Sequence, residues 1–485
     1  MGSGARGLLV AGTNSNAGKS TMVAGMLRWA RMRGVRAVPF KGQNMALNSS
    51  ATVDGGEIAR AQVLQAQAAG VEPVIDMNPV LIKPSGKDRS QLVVLGRPAG
   101  ELSGDGWMEG RAELLETVAG AYERLAADAD LVIAEGAGSS AEINLIGGDL
   151  ANLRLAKRTG MGAVLVGDID LGGVFASVYG HFKVVDPVYA SCYRGFIINK
   201  LRGSAKLLES GIVELEERLL TRCFGVVPYF DLRLPGEDSY NRQDWVGVKE
   251  RDRARLQVAV VTLPYLANFT DFDPLFLEPE VDVFYARSPA EIAGADLVVL
   301  PGTKATVADL EWLAGAGLDR AIWEHLERQG WLLGICGGYQ MLAGEIVDRV
   351  ESGRGRVRGL GLFDAEVEFT PEKVTKLIAG VSRFPEGEKV SGYLIHHGRV
   401  TSKEAPLLFV DGEEEGSAKG RALGTTVHGL FDSDPFRSRL LATVADDRGK
   451  RFTSRVGYAS HVDGELDRLA LLLDAHLDLS ALLRL

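Results

Sequence analysis

Gly12-Thr13-Asn14-Ser15-Asn16-Ala17-Gly18-Lys19-Ser20 follows the apolar run Leu8 to Ala11 and opens a helical pattern from Lys19 to Arg33. Strand, glycine-rich loop and helix in that order, ending in Gly-Lys-Ser, mark a phosphate-binding loop, one residue longer than the common spacing. Glycines let backbone N–H groups turn inward around phosphate oxygens, and the helix N-terminus adds positive potential. Lys19 reaches the outer phosphates, and the Ser20 hydroxyl is placed to ligate Mg²⁺. The expected nucleotide contacts of the loop are Gly12, Thr13, Asn16, Ala17, Gly18, Lys19 and Ser20.

Outward from this loop the alternation continues. Val35 to Phe40, Leu131 to Ala134, Ala163 to Val166 and Phe196 to Ile198 are short aliphatic runs bounded by Gly or polar residues, and read as buried strands. Lys19 to Arg33, Gly56 to Ala69 and Arg111 to Ala127 carry helical spacing between them. Strands alternating with helices predict a mostly parallel sheet flanked by helices. Residues 231–255 are charged, lack a long apolar run and read as a linker. Alternation then restarts with strands at Leu256 to Val261, Val281 to Tyr285, Leu297 to Leu300 and Trp331 to Ile335, and Leu466 to Leu485 reads as a closing amphipathic helix. The fold class is α/β in two domains, 1–230 and 256–485, each a mostly parallel sheet flanked by helices.

The 485 residues suit two or three domains, and 46% hydrophobic with 24% charged residues is the balance of a folded protein. The 59 glycines exceed the usual share of roughly 7% without any G-X-Y period, so they belong in turns and ligand loops. A net charge of -10 argues against nucleic acid, whose binding rests on neutralised phosphates. No apolar run is long enough to span a membrane and no signal peptide precedes the loop. Three widely spaced cysteines form no disulfide framework, which fits a reducing, cytoplasmic compartment.

The metal expected at Ser20 needs carboxylates. Glu135 lies just past the strand Leu131 to Ala134, the usual position of a Mg²⁺-orienting acid. Asp54 and Glu57 open a helix after the second strand, and Glu57 is the preferred ligand of the two. Asp168 and Asp170 end another strand, at the edge where open parallel sheets bind ligands.

A second chemical site is Gly334-Ile335-Cys336-Gly337-Gly338-Tyr339-Gln340, directly after a strand. A cysteine on a tight strand-to-helix turn is exposed at the sheet edge, and the helix N-terminus favours its thiolate. The Gly337 N–H is an expected oxyanion donor, with a second from Pro301-Gly302-Thr303. His428, in Val427-His428-Gly429-Leu430-Phe431, is the expected base. Cys192 and Cys223 sit beside apolar strands and read as core residues. His396 and His397 could bind substrate or be half-buried strand residues.

The chain resembles the cobyric acid synthase family of glutamine-dependent amidases in cobalamin biosynthesis. The resemblance rests on GTNSNAGKS at 12–20, KGQNMALNS at 41–49, GGEIARAQ at 55–62, NPVLIKPSG at 78–86, EGAGSSAEINL at 135–145, DIDLGGVFAS at 168–177, INKLRG at 198–203, LPGTK at 300–304, GICGGYQ at 334–340 and HGLF at 428–431. It implies a dethiobiotin-synthetase-like ATP domain followed by a class I glutamine amidotransferase-like domain. By resemblance Lys19 and Ser20 serve the nucleotide phosphates and Mg²⁺, Glu57 and Glu135 the metal, Asn199 the adenine base and Lys41 the transferred phosphate. Cys336 is the glutaminase nucleophile and His428 its base. L-glutamine, ATP and a corrinoid polycarboxylate are the implied substrates: adenosylcobyrinic acid a,c-diamide, amidated at b, d, e and g. Cobyrinic acid a,c-diamide synthase is the nearest alternative activity, and a phosphate-loop switch ATPase a more distant one. Leu430 stands where most class I amidotransferases have Glu, as in this subgroup, which leaves the group orienting His428 open.

Overall fold

The computed structural model describes residues 5–84, 89–103, 111–235 and 252–484. The chain divides into two units: one of residues 5–46, 52–235 and 462–484, the other of 47–51 and 252–461 among those described. The expected linker, 231–255, lies largely outside the described residues.

The first unit is built on six strands: β1 (Arg6–Gly12), β2 (Ala37–Phe40), β3 (Leu131–Glu135), β4 (Gly162–Asp168), β5 (Tyr193–Leu201) and β6 (Arg222–Pro228). They lie in the order β6-β5-β4-β1-β3-β2, all parallel. The register sets Val10 opposite Glu135 and Gly12 opposite Val166, so the phosphate loop and the acid leave the same sheet edge. Val132, Leu9, Leu165 and Phe196 are fully buried, as expected for a sheet covered on both faces. Helix α1 (Lys19–Met32) begins at Gly18, whose φ of 93° is open to glycine at little cost.

Three local expectations change. The helix expected from Gly56 starts at Arg60, because Glu57–Ala59 is a short buried strand. A four-stranded sheet, unforeseen in the sequence, contains Gln43–Met45, Val80–Pro84, Arg89–Val94 and Arg97–Ser103. Leu95 and Gly96 turn its last hairpin with φ of 44° and 74°. Finally, the C-terminal helix (Tyr458–His476) belongs from residue 462 onward to the first unit, not to 256–485. The reason is visible at α1: Arg28 bonds Asp467 at 2.6 Å and Asp463 at 3.2 Å, and Trp29 Nε1 donates to Asp474 at 2.6 Å. Gly25 permits the approach, since a Cβ there would stand 2.5 Å from Leu473 Cδ1 and 2.9 Å from Leu469 Cγ.

The second unit has its own mostly parallel sheet. Its strands are β7 (Leu256–Val261), β8 (Val281–Ala286), β9 (Leu297–Leu300) and β10 (Trp331–Ile335), joined after a long excursion by β13 (Ser417–Lys419) and β14 (Ala422–Thr425). Their order is β8-β7-β9-β10-β14-β13, with only β13 antiparallel. The excursion includes two long antiparallel strands, β11 (Ala365–Ser382) and β12 (Lys389–Ser402). Residues 47–51 join this unit: Phe269 N donates to Asn48 Oδ1 and Ser49 N to Asn268 Oδ1, each at 3.0 Å. Ala51 packs with Tyr393 and Ile395.

Candidate active sites

In the first unit the phosphate loop closes on itself. Lys19 Nζ donates to the carbonyls of Asn14 (2.8 Å), Ser15 (3.2 Å) and Gly138 (3.1 Å). A Cβ at Gly12 would stand 2.9 Å from the Lys19 side chain, so glycine gives that chain its channel. Thr13 N bonds Val166 O at 3.0 Å, and Ala17 is fully buried. Asn199 Nδ2 donates to Ala17 O at 2.8 Å, and a Cβ on Gly18 would meet that nitrogen at 2.4 Å. Asn199 thus braces the loop, while its Oδ1 is buried without a partner among the described residues. Lys200, which sequence reasoning passed over, pairs with Asp168 at 2.8 Å and donates to the carbonyl of Asn16.

Glu135 has its charge fully met. Its Oε1 accepts from Ser20 Oγ (2.8 Å) and Lys41 Nζ (2.7 Å), and its Oε2 from Gln65 Nε2 (2.6 Å). Burial pushes this carboxyl up, but the Lys41 ammonium and the three hydrogen bonds outweigh it and hold the group below the usual carboxylate range. Glu57 is fully buried and paired with Lys83, a second residue sequence reasoning did not single out. Among the described residues no group of three or more His, Cys, Asp or Glu is arranged for a metal. A hydroxyl and one carboxylate side by side nonetheless suit Mg²⁺, a hard cation that keeps several waters and takes its remaining oxygens from phosphate.

In the second unit Cys336 sits between β10 and the short helix Gly337–Met341 with φ 50° and ψ -109°, a conformation rare for a side-chain-bearing residue. Its N–H is tied to Thr425 O at 2.7 Å. Small neighbours are obligatory: a Cβ at Gly338 would stand 2.0 Å from Leu300 O, and one at Gly337 2.6 Å from Thr303 Cγ2. Gly337 stands at the first turn of its helix, where N–H groups lack helical partners. A Cβ at Gly302 would collide with His428 Cε1 at 2.7 Å. The Pro301-Gly302-Thr303 turn therefore lines the histidine, and Asp309, which accepts from Thr303 Oγ1 and Tyr265 N, fixes it.

His428 is 3% exposed and its Nδ1 lies 2.7 Å from Asp271 Oδ2. Asp271 Oδ1 accepts the Gly429 N–H at 2.9 Å, which fixes the carboxylate on both oxygens. Burial works against the imidazolium, but the charges of Asp271 and Cys336, with hydrogen bonds to both, push His428 up to about 10. Asp271 thus supplies the carboxylate partner of His428, where Leu430 offers none. It sits in the turn Phe269–Phe272 and meets His428 across 157 residues, so no local motif announced it. Its one sequence signal is position, in the segment that follows β7 at the sheet's carboxyl edge.

Tyr393 stacks on His428 with centroids 5.4 Å apart, and the two exchange backbone hydrogen bonds of 2.9 and 3.1 Å. Of the two undecided histidines, His397 bonds the Thr370 carbonyl at 3.0 Å and braces the β11–β12 pair. Burial raises the thiol of Cys192, and pushes that of Cys223 up to about 11.

Residues 8–238 match the CobQ/CobB/MinD/ParA nucleotide binding domain, and residues 257–436 the CobB/CobQ-like glutamine amidotransferase domain. The cobyric acid synthase of Rhodococcus jostii (strain RHA1) is 46% identical over 500 residues, covering 98% of this chain and 94% of that one. Those of Mycolicibacterium paratuberculosis (strain ATCC BAA-968 / K-10) and Streptomyces coelicolor (strain ATCC BAA-471 / A3(2) / M145) are 46% and 45% identical, each covering 99% of this chain and 96% of the relative. Among the described residues no helix is long and apolar enough to cross a membrane. With a phosphate loop in one unit, a cysteine elbow in the other and this likeness along nearly the whole length, the chain belongs to the cobyric acid synthase family, ligases of cobalamin biosynthesis that carry a glutamine amidotransferase domain.

Proposed function

We propose that the protein converts carboxylates of adenosylcobyrinic acid a,c-diamide, at positions b, d, e and g, to carboxamides, using ATP·Mg²⁺ and L-glutamine. The observation that carries the reading is the buried line Cys336, His428, Asp271: a strained thiol beside an imidazole whose other nitrogen is held by a carboxylate. Cys336 attacks the glutamine amide carbon, the oxyanion is received by the N–H groups of Gly337 and Gly302, and His428 gives its proton to the leaving nitrogen. Ammonia departs, and water then cleaves the glutamyl thioester to glutamate.

In the first unit ATP phosphorylates a substrate carboxylate, a poor electrophile until activated, and ammonia displaces the phosphate. Gly12, Thr13, Asn16, Ala17 and Gly18 present the loop to the phosphates, and Lys19 exchanges its three carbonyl partners for phosphate oxygens. Ser20 and Glu135 would hold Mg²⁺, with Glu57 as a further ligand once parted from Lys83. When bound, the cation offsets charge on the transferred phosphoryl group. Lys41, already against Glu135, is placed to follow that phosphate, and the unpartnered Asn199 Oδ1 is an acceptor for the adenine amino group. The free cysteines fit a cytoplasmic setting.

The test is product mass after incubation with the corrinoid, ATP and glutamine, where four acid-to-amide steps are expected. Cys336→Ser should lose glutamine use yet amidate with ammonium salt. Loss of both would overturn the two-site division, and turnover of cobyrinic acid in place of its a,c-diamide would favour the diamide synthase.

A further inference from the structure

His396 lies on β12 opposite Val374, one residue past Ile395, whose carbonyl is 3.9 Å from Cys336 Sγ. Its Nδ1 is 2.8 Å from Gly398 O. A carbonyl only accepts, so Nδ1 carries the hydrogen and Nε2 presents a lone pair. The same Gly398 oxygen accepts from Gln340 Nε2 at 3.3 Å, and Gln340 Oε1 accepts from Thr306 at 3.2 Å. Gln340 belongs to the helix that Cys336 opens, so the elbow itself fixes this tautomer. The Nε2 atom is buried and without a partner among the described residues. Burial, partly opposed by the Gly398 bond and reinforced by the charge of His428, pushes His396 down to about 4, which keeps it neutral. This neutral, acceptor-only nitrogen, one residue along β12 from the carbonyl nearest Cys336 Sγ and near enough to His428 to sense its charge, meets no donor among the described residues, and a buried acceptor without one is costly.

Resting on the glutaminase reading above, we propose that His396 Nε2 accepts a hydrogen bond from the carboxamide nitrogen of bound L-glutamine. That nitrogen carries two N–H donors and is the atom that leaves as ammonia. An acceptor on it orients the amide for attack by Cys336 and holds the nitrogen without supplying a proton, which remains the task of His428. An imidazolium has no lone pair to do this, so the low basicity of His396 is part of the fit.

The test compares two substrates of the full-length enzyme: L-glutamine, and L-glutamate γ-methyl ester, whose leaving group has no N–H. His396→Leu, with His396→Ala as a second removal, should lower kcat/KM for glutamine by about tenfold or more and leave the ester unchanged. His396→Gln, which restores an acceptor oxygen, should recover much of the glutamine rate. Ammonium-dependent amidation by each variant reports that the fold is intact. Parallel losses on amide and ester, or no loss on glutamine, would overturn the assignment and leave the glutaminase reading standing. Failure of the wild-type chain to hydrolyse either substrate would instead remove the glutaminase reading.

Discussion

The two units share a parallel sheet with ligand loops at its carboxyl edge, yet they hold their charges in opposite ways. In the first, cations and anions are matched in waiting: Lys19 on three loop carbonyls, Lys41 on Glu135, Lys83 on Glu57. In the second, cysteine, histidine and carboxylate are assembled with one another, Asp271 fixed on both oxygens, His428 stacked on Tyr393 and Cys336 held in a strained turn. A nucleotide site can afford to be completed by its highly charged substrate. A glutamine site, whose substrate amide is neutral, must bring its own polarisation.

The comparison breaks most sharply at Lys19. Lys19→Ala should reduce ATP-dependent amidation by about 10³-fold with glutamine or ammonium alike, while glutamine hydrolysis assayed alone persists. Equal loss of hydrolysis would mean that the two sites are not separable.

Asp271→Asn is the converse probe. It should cut glutamine-dependent turnover by about 10²-fold or more and leave ammonium-dependent amidation alone. It should also move the alkaline limb of the glutaminase pH profile down. His428 is raised from 6.5 to about 10, so the stability its imidazolium contributes is complete below 6.5 and lost as pH rises through about 10. Without the carboxylate that loss begins at lower pH, which pH-dependent thermal melts will show.

A smaller effect is expected where neither site is touched. Gly25→Ala pushes a methyl into Leu473 and Leu469 and should cost about 1–3 kcal/mol, read as a drop in melting temperature with both half-reactions retained.

What the sequence discloses is what it writes locally. The phosphate loop, Glu135 at the end of β3 and the Cys336 elbow each lie within a few residues of the strand that presents them. Asp271 meets His428 across 157 residues, and the carbonyl that holds His396 is itself held by Gln340, 58 residues back; neither Asn-Phe-Thr-Asp nor a histidine pair on a strand says which partner it will meet. The four-stranded sheet escapes this reading because its strands are only 3 to 7 residues long, too short to set a period, and β11 alternates cleanly only from Ala365 to Phe369 before its pattern breaks. The C-terminal helix was legible as a helix, but an amphipathic face does not state which surface it covers. Arg28, Trp29 and Gly25 settle that, some 440 residues away.

The exchange of segments between units also orders events in time. Residues 47–51, which carry Asn48 to Phe269, leave the ribosome about 200 residues before their sheet exists, and residues 462–484, which cover α1, follow the whole of 252–461. Neither unit is complete when its own main body has been synthesised. Helix α1 therefore waits for its cover until the whole of the second unit's chain has been synthesised.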